Sequence, residues 1–401
     1  MPLCAALAVS KVNHPTFLIA NIESKEIFMK NILRKTIIFL EIALFTILTG
    51  CSSTGAETKE AGTIDKEPYE FHETVTKAGT VTIYGKEYDL VYFGDWPQTI
   101  KDKSVKIDES ISITMGSFTY YKGSDGFWYA KCIENKYGGN YSYSDGTPVL
   151  KIGANSTQYF KVEPIKWRVL TNDYNGKRLL LAENILTANI FYYGTGDAYK
   201  GYYTDDRTLN GQTIYPNNYK YSNIRAYLNG INNQFVTDGG TATELDVDWT
   251  EKGFLQSAFT NAAQSLIAET NVNNNAASTN PDKNPNLWEN GKNLYTCDNT
   301  IDKVFLLSEQ EITKSEYGFS TFDNFGAGNS RIRVPSDYAK ANYALQADSK
   351  PWYGGVWWLR SPAYKNHYSA RLVDADADVG NGSFNNVYRT DFSIVPALCL
   401  N

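Results

Sequence analysis

Apolar residues in this chain arrive in short runs cut by glycine and proline, a pattern that favours strands joined by turns. Val81, Ile83, Tyr88, Leu90, Val91, Tyr92 and Phe93 are punctuated by Gly85, Gly94 and Pro97, which predicts a β-hairpin at the start of the fold. Ile165 to Leu170 and Arg178 to Ala182 flank Asn172-Asp173-Tyr174-Asn175-Gly176, a turn signal that predicts a second hairpin, buried centrally. Two helices are expected between these runs and the C-terminal third. Ser222 is placed to cap a helix whose Ile224, Tyr227, Leu228 and Ile231 share one face; Thr250 is placed to cap another running from Phe254 to Ile267. Residues 271–286 read as an exposed loop, residues 303–308 as a buried strand and residues 318–346 as mostly loop. Strands are then expected at 356–362, 370–379 and 394–400.

The 401 residues leave room for two or three domains, but one folded region, residues 79–401, accounts for the pattern. A net charge of -6 supplies no general attraction for phosphate backbones, so no nucleic-acid partner is expected. Three histidines stand against 29 tyrosines, 19 phenylalanines and eight tryptophans, which leaves histidine-based catalysis little material.

Residues 37–48 are apolar apart from Glu41, follow Lys30, Arg34 and Lys35, and precede Leu48-Thr49-Gly50-Cys51. That order resembles a lipoprotein signal peptide with its lipobox, and the apolar stretch is too short to span a bilayer, which takes about 20 residues. The chain therefore reads as an upstream extension (1–28), a signal peptide (29–50), a lipidated flexible tether (51–78) and the folded region. Cys51 is the expected lipid attachment site, and the bacterial cell envelope, facing outward, the expected location. Export leaves Cys132, Cys297 and Cys399, an odd number that admits one disulfide at most, with no C-x-x-C or Cys/His cluster to hold zinc.

Several blocks together carry a family resemblance. Phe93-Gly94-Asp95-Trp96-Pro97-Gln98, Pro164 to Leu170, Ile224 to Asn229, Val304 to Ser308, Trp358-Leu359-Arg360-Ser361-Pro362 and Pro396-Ala397-Leu398 resemble, in order, the domain of unknown function 6273 family. The terminal blocks are also similar to C-type lectin-like domains of the formylglycine-generating-enzyme type, including variable proteins diversified by retroelements. The resemblance implies an α+β, C-type lectin-like fold with two helices flanking a small antiparallel sheet, and ligand binding through the last part of the chain. Two departures are visible. Ile394-Val395-Pro396 stands where the family has Val-Arg-Pro, and Asp376-Ala377 where it has Asp-Gly, which puts a tight turn there in doubt. The cysteine pair that formylglycine-generating chemistry needs is missing.

Within residues 364–391, polar and aromatic side chains crowd between strands, as they do in loops that bind partners on a rigid frame. The expected ligand-binding residues are Asn366, His367, Tyr368, Asp374, Asp376, Asp378, Asn381, Phe384, Asn385, Asn386 and Tyr388. On a strand, Asp374, Asp376 and Asp378 would put three carboxylates on one face, calling for Arg371, Arg389 or a calcium ion to neutralise them. The EF-hand spacing fails, because Val379 stands where glycine is needed and Asn385 where glutamate is needed. No cofactor is otherwise expected. A Ser-His-Asp triad would have to use His367, while Trp167, Trp357 and Trp358 read as core. The chain is thus expected to be a lipid-anchored surface protein that binds a protein or glycan and leaves it unaltered. Its alternatives are an exported carbohydrate-active hydrolase using Asp and Glu residues, and a structural envelope lipoprotein.

Overall fold

The computed structural model describes residues 69–135, 141–149, 156–193, 206–232, 247–279, 293–320, 330–347, 354–380 and 383–401. Cys51 and the expected extension, signal peptide and lipobox lie outside them, as does Asn381. All the described residues belong to the compact unit Lys66–Asn401.

The N-terminal half is a run of antiparallel strands: β1 (Thr76–Ile83), β2 (Lys86–Ile100), β3 (Ile107–Met115), β4 (Phe118–Gly123), β5 (Trp128–Ile133), β6 (Thr157–Tyr174) and β7 (Lys177–Ala182). Shorter strands follow: β8 (Asn184–Ile185), β9 (Arg207–Leu209), β10 (Gln212–Ile214), β11 (Thr270–Val272), β12 (Thr300–Asp302), β13 (Val304–Phe305), β14 (Val334–Pro335), β15 (Trp357–Pro362), β16 (Ser369–Val373), β17 (Phe384–Asn386) and β18 (Ala397–Leu400). Both predicted hairpins form. Tyr84 and Gly85 turn β1 into β2 with φ of 48° and 79°, and Asn175 and Gly176 turn β6 into β7 with φ of 55° and 77°.

The spine of the main sheet is β6. Its first residues pair with β5, its last with β7, and β2 runs along it from Ile100 opposite Phe160 to Leu90 opposite Arg168. The C-terminal β18 adds to β7 and β13 adds to β18, completing nine strands in which β3 is an edge. Between these strands lies an aromatic core. Trp96 and Trp167 are buried and donate their indole N–H groups to the carbonyls of Leu186 (2.9 Å) and Phe93 (2.8 Å).

This architecture overturns the expected α+β, C-type lectin-like fold with two helices flanking a small sheet. The sheet is large, and the described α-helices are four short ones: α1 (Asn223–Asn229), α2 (Phe254–Ala258), α3 (Asn261–Leu266) and α4 (Asp337–Ala341). Ser222 does cap α1, its hydroxyl accepting from the Arg225 N–H. The long second helix breaks instead. Phe259 leaves helical geometry (φ −136°, ψ 131°) to pack on Phe93 and Trp167, and Thr260 restarts the chain by capping the Ala263 N–H. Apolar spacing shows which residues face the core, but not that one aromatic side chain packs better with the backbone unwound.

Smaller corrections share that origin. The loop expected at 271–286 contributes to β11 and contains a 3-10 turn, Ala276–Thr279, with Ser278 and Thr279 buried. The loop expected at 318–346 contains β14 and α4, and the strand expected at 370–379 ends at Val373. Residues 69–78, expected to be part of the tether, are among those described, and there Tyr69 and His72 both bind the buried carboxylate of Asp95.

Candidate ligand-binding surface

The C-terminal frame is the three-stranded antiparallel sheet β15–β16–β17. Trp357 and Trp358 are adjacent on β15 and both fully buried, so this strand is covered on its two faces. Two buried arginines fix the frame. Arg360 on β15 bonds the carboxylate of Glu311 (Nη2 to Oε1, 2.8 Å) and the carbonyl of Leu306 (2.7 Å). Arg371 on β16 pairs with Glu309 and donates to the carbonyl of Gly380 (3.1 Å), holding the far loop against the sheet. Burial works to raise the Glu311 carboxyl, but Arg360 outweighs it and the group lies below the ordinary glutamate range. At Glu309 burial prevails over Arg371, and the carboxyl is pushed up.

The loop between β15 and β16 carries Tyr364, Asn366, His367 and Tyr368. It is bolted down by two buried asparagines that lie far away in sequence. Asn217 Nδ2 donates to the carbonyls of Asn366 (3.0 Å) and Ser369 (2.9 Å), and its backbone N–H donates to that of His367 (3.0 Å). Asn293 Nδ2 donates to the carbonyl of Pro362 (2.9 Å), while its Oδ1 accepts from the Tyr295 N–H (3.1 Å).

These clamps assemble a half-buried aromatic shelf. The rings of Tyr215 and His367 lie nearly parallel, 8° apart with centroids 6.0 Å apart. Tyr295 stands edge-on to Tyr215 at 5.1 Å and to His367 at 6.3 Å, and Tyr368 sits 5.3 Å from His367. Asp206 Oδ1 lies 3.9 Å from His367 Nδ1. Beyond the shelf, Lys365 Nζ sits 5.4 Å from the ring centroid of Phe384, which is on β17.

The other expected residues mostly serve the loops' own backbone. Asp374, Asp376 and Asp378 do not alternate along a strand; they ring a tight turn after β16. Asp374 Oδ1 accepts from the Ala375 N–H (2.7 Å), Asp376 Oδ1 from that of Asp378 (3.1 Å) and Asp378 Oδ1 from that of Gly380 (2.7 Å). The turn doubted at Asp376-Ala377 does form, with Ala377 at φ 69° and its N–H donating to the Asp374 carbonyl (2.9 Å). Desolvation, with Asp376 and Asp378 nearby, lifts the Asp374 carboxyl above its ordinary range against the Ala375 N–H that lowers it. Arg371 and Arg389 are not the cations that neutralise this turn, since they pair with Glu309 and Asp391. Asn366 Oδ1 accepts from the Tyr368 N–H, Asn385 Oδ1 from the Asn386 N–H, and Asn386 Oδ1 from the Ser369 hydroxyl. Tyr388 and Phe384 are half-buried.

Sequence reasoning missed Asp206, Tyr215, Asn217, Asn293 and Tyr295. Their distance from residue 367 along the chain carries no pairing signal, and each lies in an unremarkable polar segment.

Among the described residues, no three His, Cys, Asp or Glu side chains converge in a metal-ligating group, the aspartate turn included. Cys132, Cys297 and Cys399 are free thiols, raised by burial to about 12, 11 and 11. No helix among the described residues is long and apolar enough to cross a membrane.

A match to a family described as a domain of unknown function (DUF6273) covers residues 175–401. No curated protein and no solved structure matches the chain.

Proposed function

The chain belongs to the DUF6273 family, and from that premise we propose that it is a lipid-anchored bacterial surface protein that binds a protein or glycan ligand through its C-terminal loops without altering it. The observation that carries this reading is the parallel pair Tyr215 and His367, flanked by Tyr295 and Tyr368 and locked by Asn217. Flat rings with polar edges, set on a pre-ordered loop, stack on a sugar face or an aromatic side chain at small entropic cost. The C-type lectin-like resemblance contributes only the place of binding, in the last third of the chain; the lectin fold has no part in it. Retroelement diversification of the codons for residues 364–391 belongs to the same reading. It would spare Asn366, Asp374, Asp376, Asp378, Asn385 and Asn386, whose side chains serve the backbone or the frame.

An array of surface glycans and proteins probed with the full chain and with His367→Ala and Tyr215→Ala tests the surface. Both substitutions should abolish whatever binding the natural chain shows, and undiminished binding rules the shelf out. Anchoring rests on Leu48-Thr49-Gly50-Cys51, and Cys51→Ala should release the protein from membranes and end fatty-acid labelling.

A second reading, polysaccharide hydrolysis by carboxylates, takes its site from a polar hollow of about 470 Å³ whose lining carries Glu87, Asp89, Asp173 and Glu316 together with Lys86. New reducing ends released from polysaccharides by the natural chain, and lost in Asp173→Asn or Glu316→Gln, would favour it over simple binding.

A further inference from the structure

A separate hollow of about 370 Å³ lies between the turn that joins β3 to β4 and the junction of α2 with α3. Half-buried Phe71, Ile113 and Met115, with Phe259 beneath, give it apolar walls, and Asn261 lies on its lining. Glycine makes the enclosure. Gly116, at φ 55°, lets the turn approach α2 so closely that a Cβ there would overlap Ser257.

Among the described residues, Glu251 is the one ionisable side chain that lines the hollow. It is exposed and takes φ 60°, a left-handed conformation uncommon for a residue with a side chain. Lys303 donates its ammonium to the Gln264 carbonyl at 3.0 Å. An open hollow of this volume, with aromatic and aliphatic side chains on its walls and Glu251 among the polar residues Thr114, Gln256, Thr260 and Gln264, is complementary to a small molecule that has an apolar body and a positive head.

We propose that this hollow binds a small organic cation of the arylalkylammonium class, with the ring against Phe71 and Phe259 and the ammonium toward Glu251. The proposal is independent of the aromatic shelf and of its ligand.

Three probes of matched shape decide it: phenethylammonium, 2-phenylethanol and phenylacetate, each titrated into the full chain by calorimetry. Phenethylammonium should bind saturably, with a Kd on the order of 1 mM. It should bind about two- to fivefold more tightly than the alcohol, the range for one exposed ion pair, and the anion more weakly than either. Glu251→Gln should erase the preference for the cation while leaving the alcohol unaffected. Asn261→Trp, at an exposed position on the lining, should block all three. Absence of saturable binding, equal binding of the anion, or binding that survives Asn261→Trp would overturn the proposal.

Discussion

The guanidinium of Arg360 and the carboxylate of Glu311 form a two-point ion pair wholly inside the protein. Two more donors complete the carboxylate's shell, the Tyr174 hydroxyl (2.6 Å) and the Ser308 N–H (2.8 Å). The pair joins β15, on which the binding loop hangs, to β6 through Tyr174. Removing one partner leaves a buried charge without its counter-ion, so Arg360→Met should cost about 3–5 kcal/mol in chemical denaturation. The Glu311 carboxyl is depressed in the fold, so its contribution is complete above the ordinary glutamate value of 4.5 and disappears as pH falls through the lower folded value. Glu311→Gln should therefore be less stable than the natural chain at pH 7, with the difference narrowing as pH falls below 4.5. A difference independent of pH would refute the assignment.

Asn217 commits its side-chain amide to two carbonyls of the loop that presents His367. Asn217→Ala removes both of these bonds while the Ser369 carbonyl keeps the Ala363 N–H (2.9 Å), so the cost should be about 0.5–1.5 kcal/mol per bond lost. The loss should concentrate in faster hydrogen exchange at residues 363–368, with the strands of the large sheet keeping their protection. Binding by the shelf should weaken although none of its aromatic residues is changed.

The parts of this molecule legible in sequence are those whose signal is local. The β6–β7 turn follows from Asn175-Gly176, the α1 cap from Ser222, and burial of Trp357 and Trp358 from their place in an apolar run. What could not be read depends on non-local contacts. Phe259 breaks a helix because Phe93 and Trp167 wait across the core, and no spacing rule contains those partners. The same holds for the binding surface. Residues 366–368 were legible as an exposed polar and aromatic loop, but Tyr215, Tyr295 and the clamping asparagines reach it only through the fold. Conversely, Asp374, Asp376 and Asp378 look like a ligand set in sequence because aspartates that cap turns have the same spacing as aspartates that bind cations.

Ala377 occupies a position where the backbone favours glycine, with φ 69°, while its methyl is fully buried. Relief of about 1–2 kcal/mol of left-handed strain in Ala377→Gly is offset by the lost burial of a methyl, about 0.8 kcal/mol, and by the added freedom of the unfolded chain. Its stability should stay within about 0.5 kcal/mol of the natural chain. Ala377→Val, which brings a β-branched side chain into the same conformation, should lose more than about 2 kcal/mol. If Ala377→Gly proves as costly as Ala370→Gly on β16, the turn does not have this geometry.

Gly94 sits at the register shift of β2 between Tyr92 and Asp95, with φ 68°. This bulge sets Asp95 to meet His72 and lets Phe259 lie directly over the glycine; a Cβ there would collide with the ring and approach the Ala258 carbonyl within 2.7 Å. Gly94→Ala thus faces strain and overlap together, and backbone at Ala258 cannot yield as a flexible side chain would. A loss of about 3 kcal/mol or more in urea unfolding is expected, since overpacking alone costs about 1–3 kcal/mol and the left-handed conformation adds to it. Gly85→Ala is the control. It shares a positive φ, 79°, but meets nothing within 4 Å and should show the conformational cost alone, about 1 kcal/mol. Equal losses at the two glycines would mean that Phe259 does not press on the bulge, and with that the reason given for the break between α2 and α3 would fail.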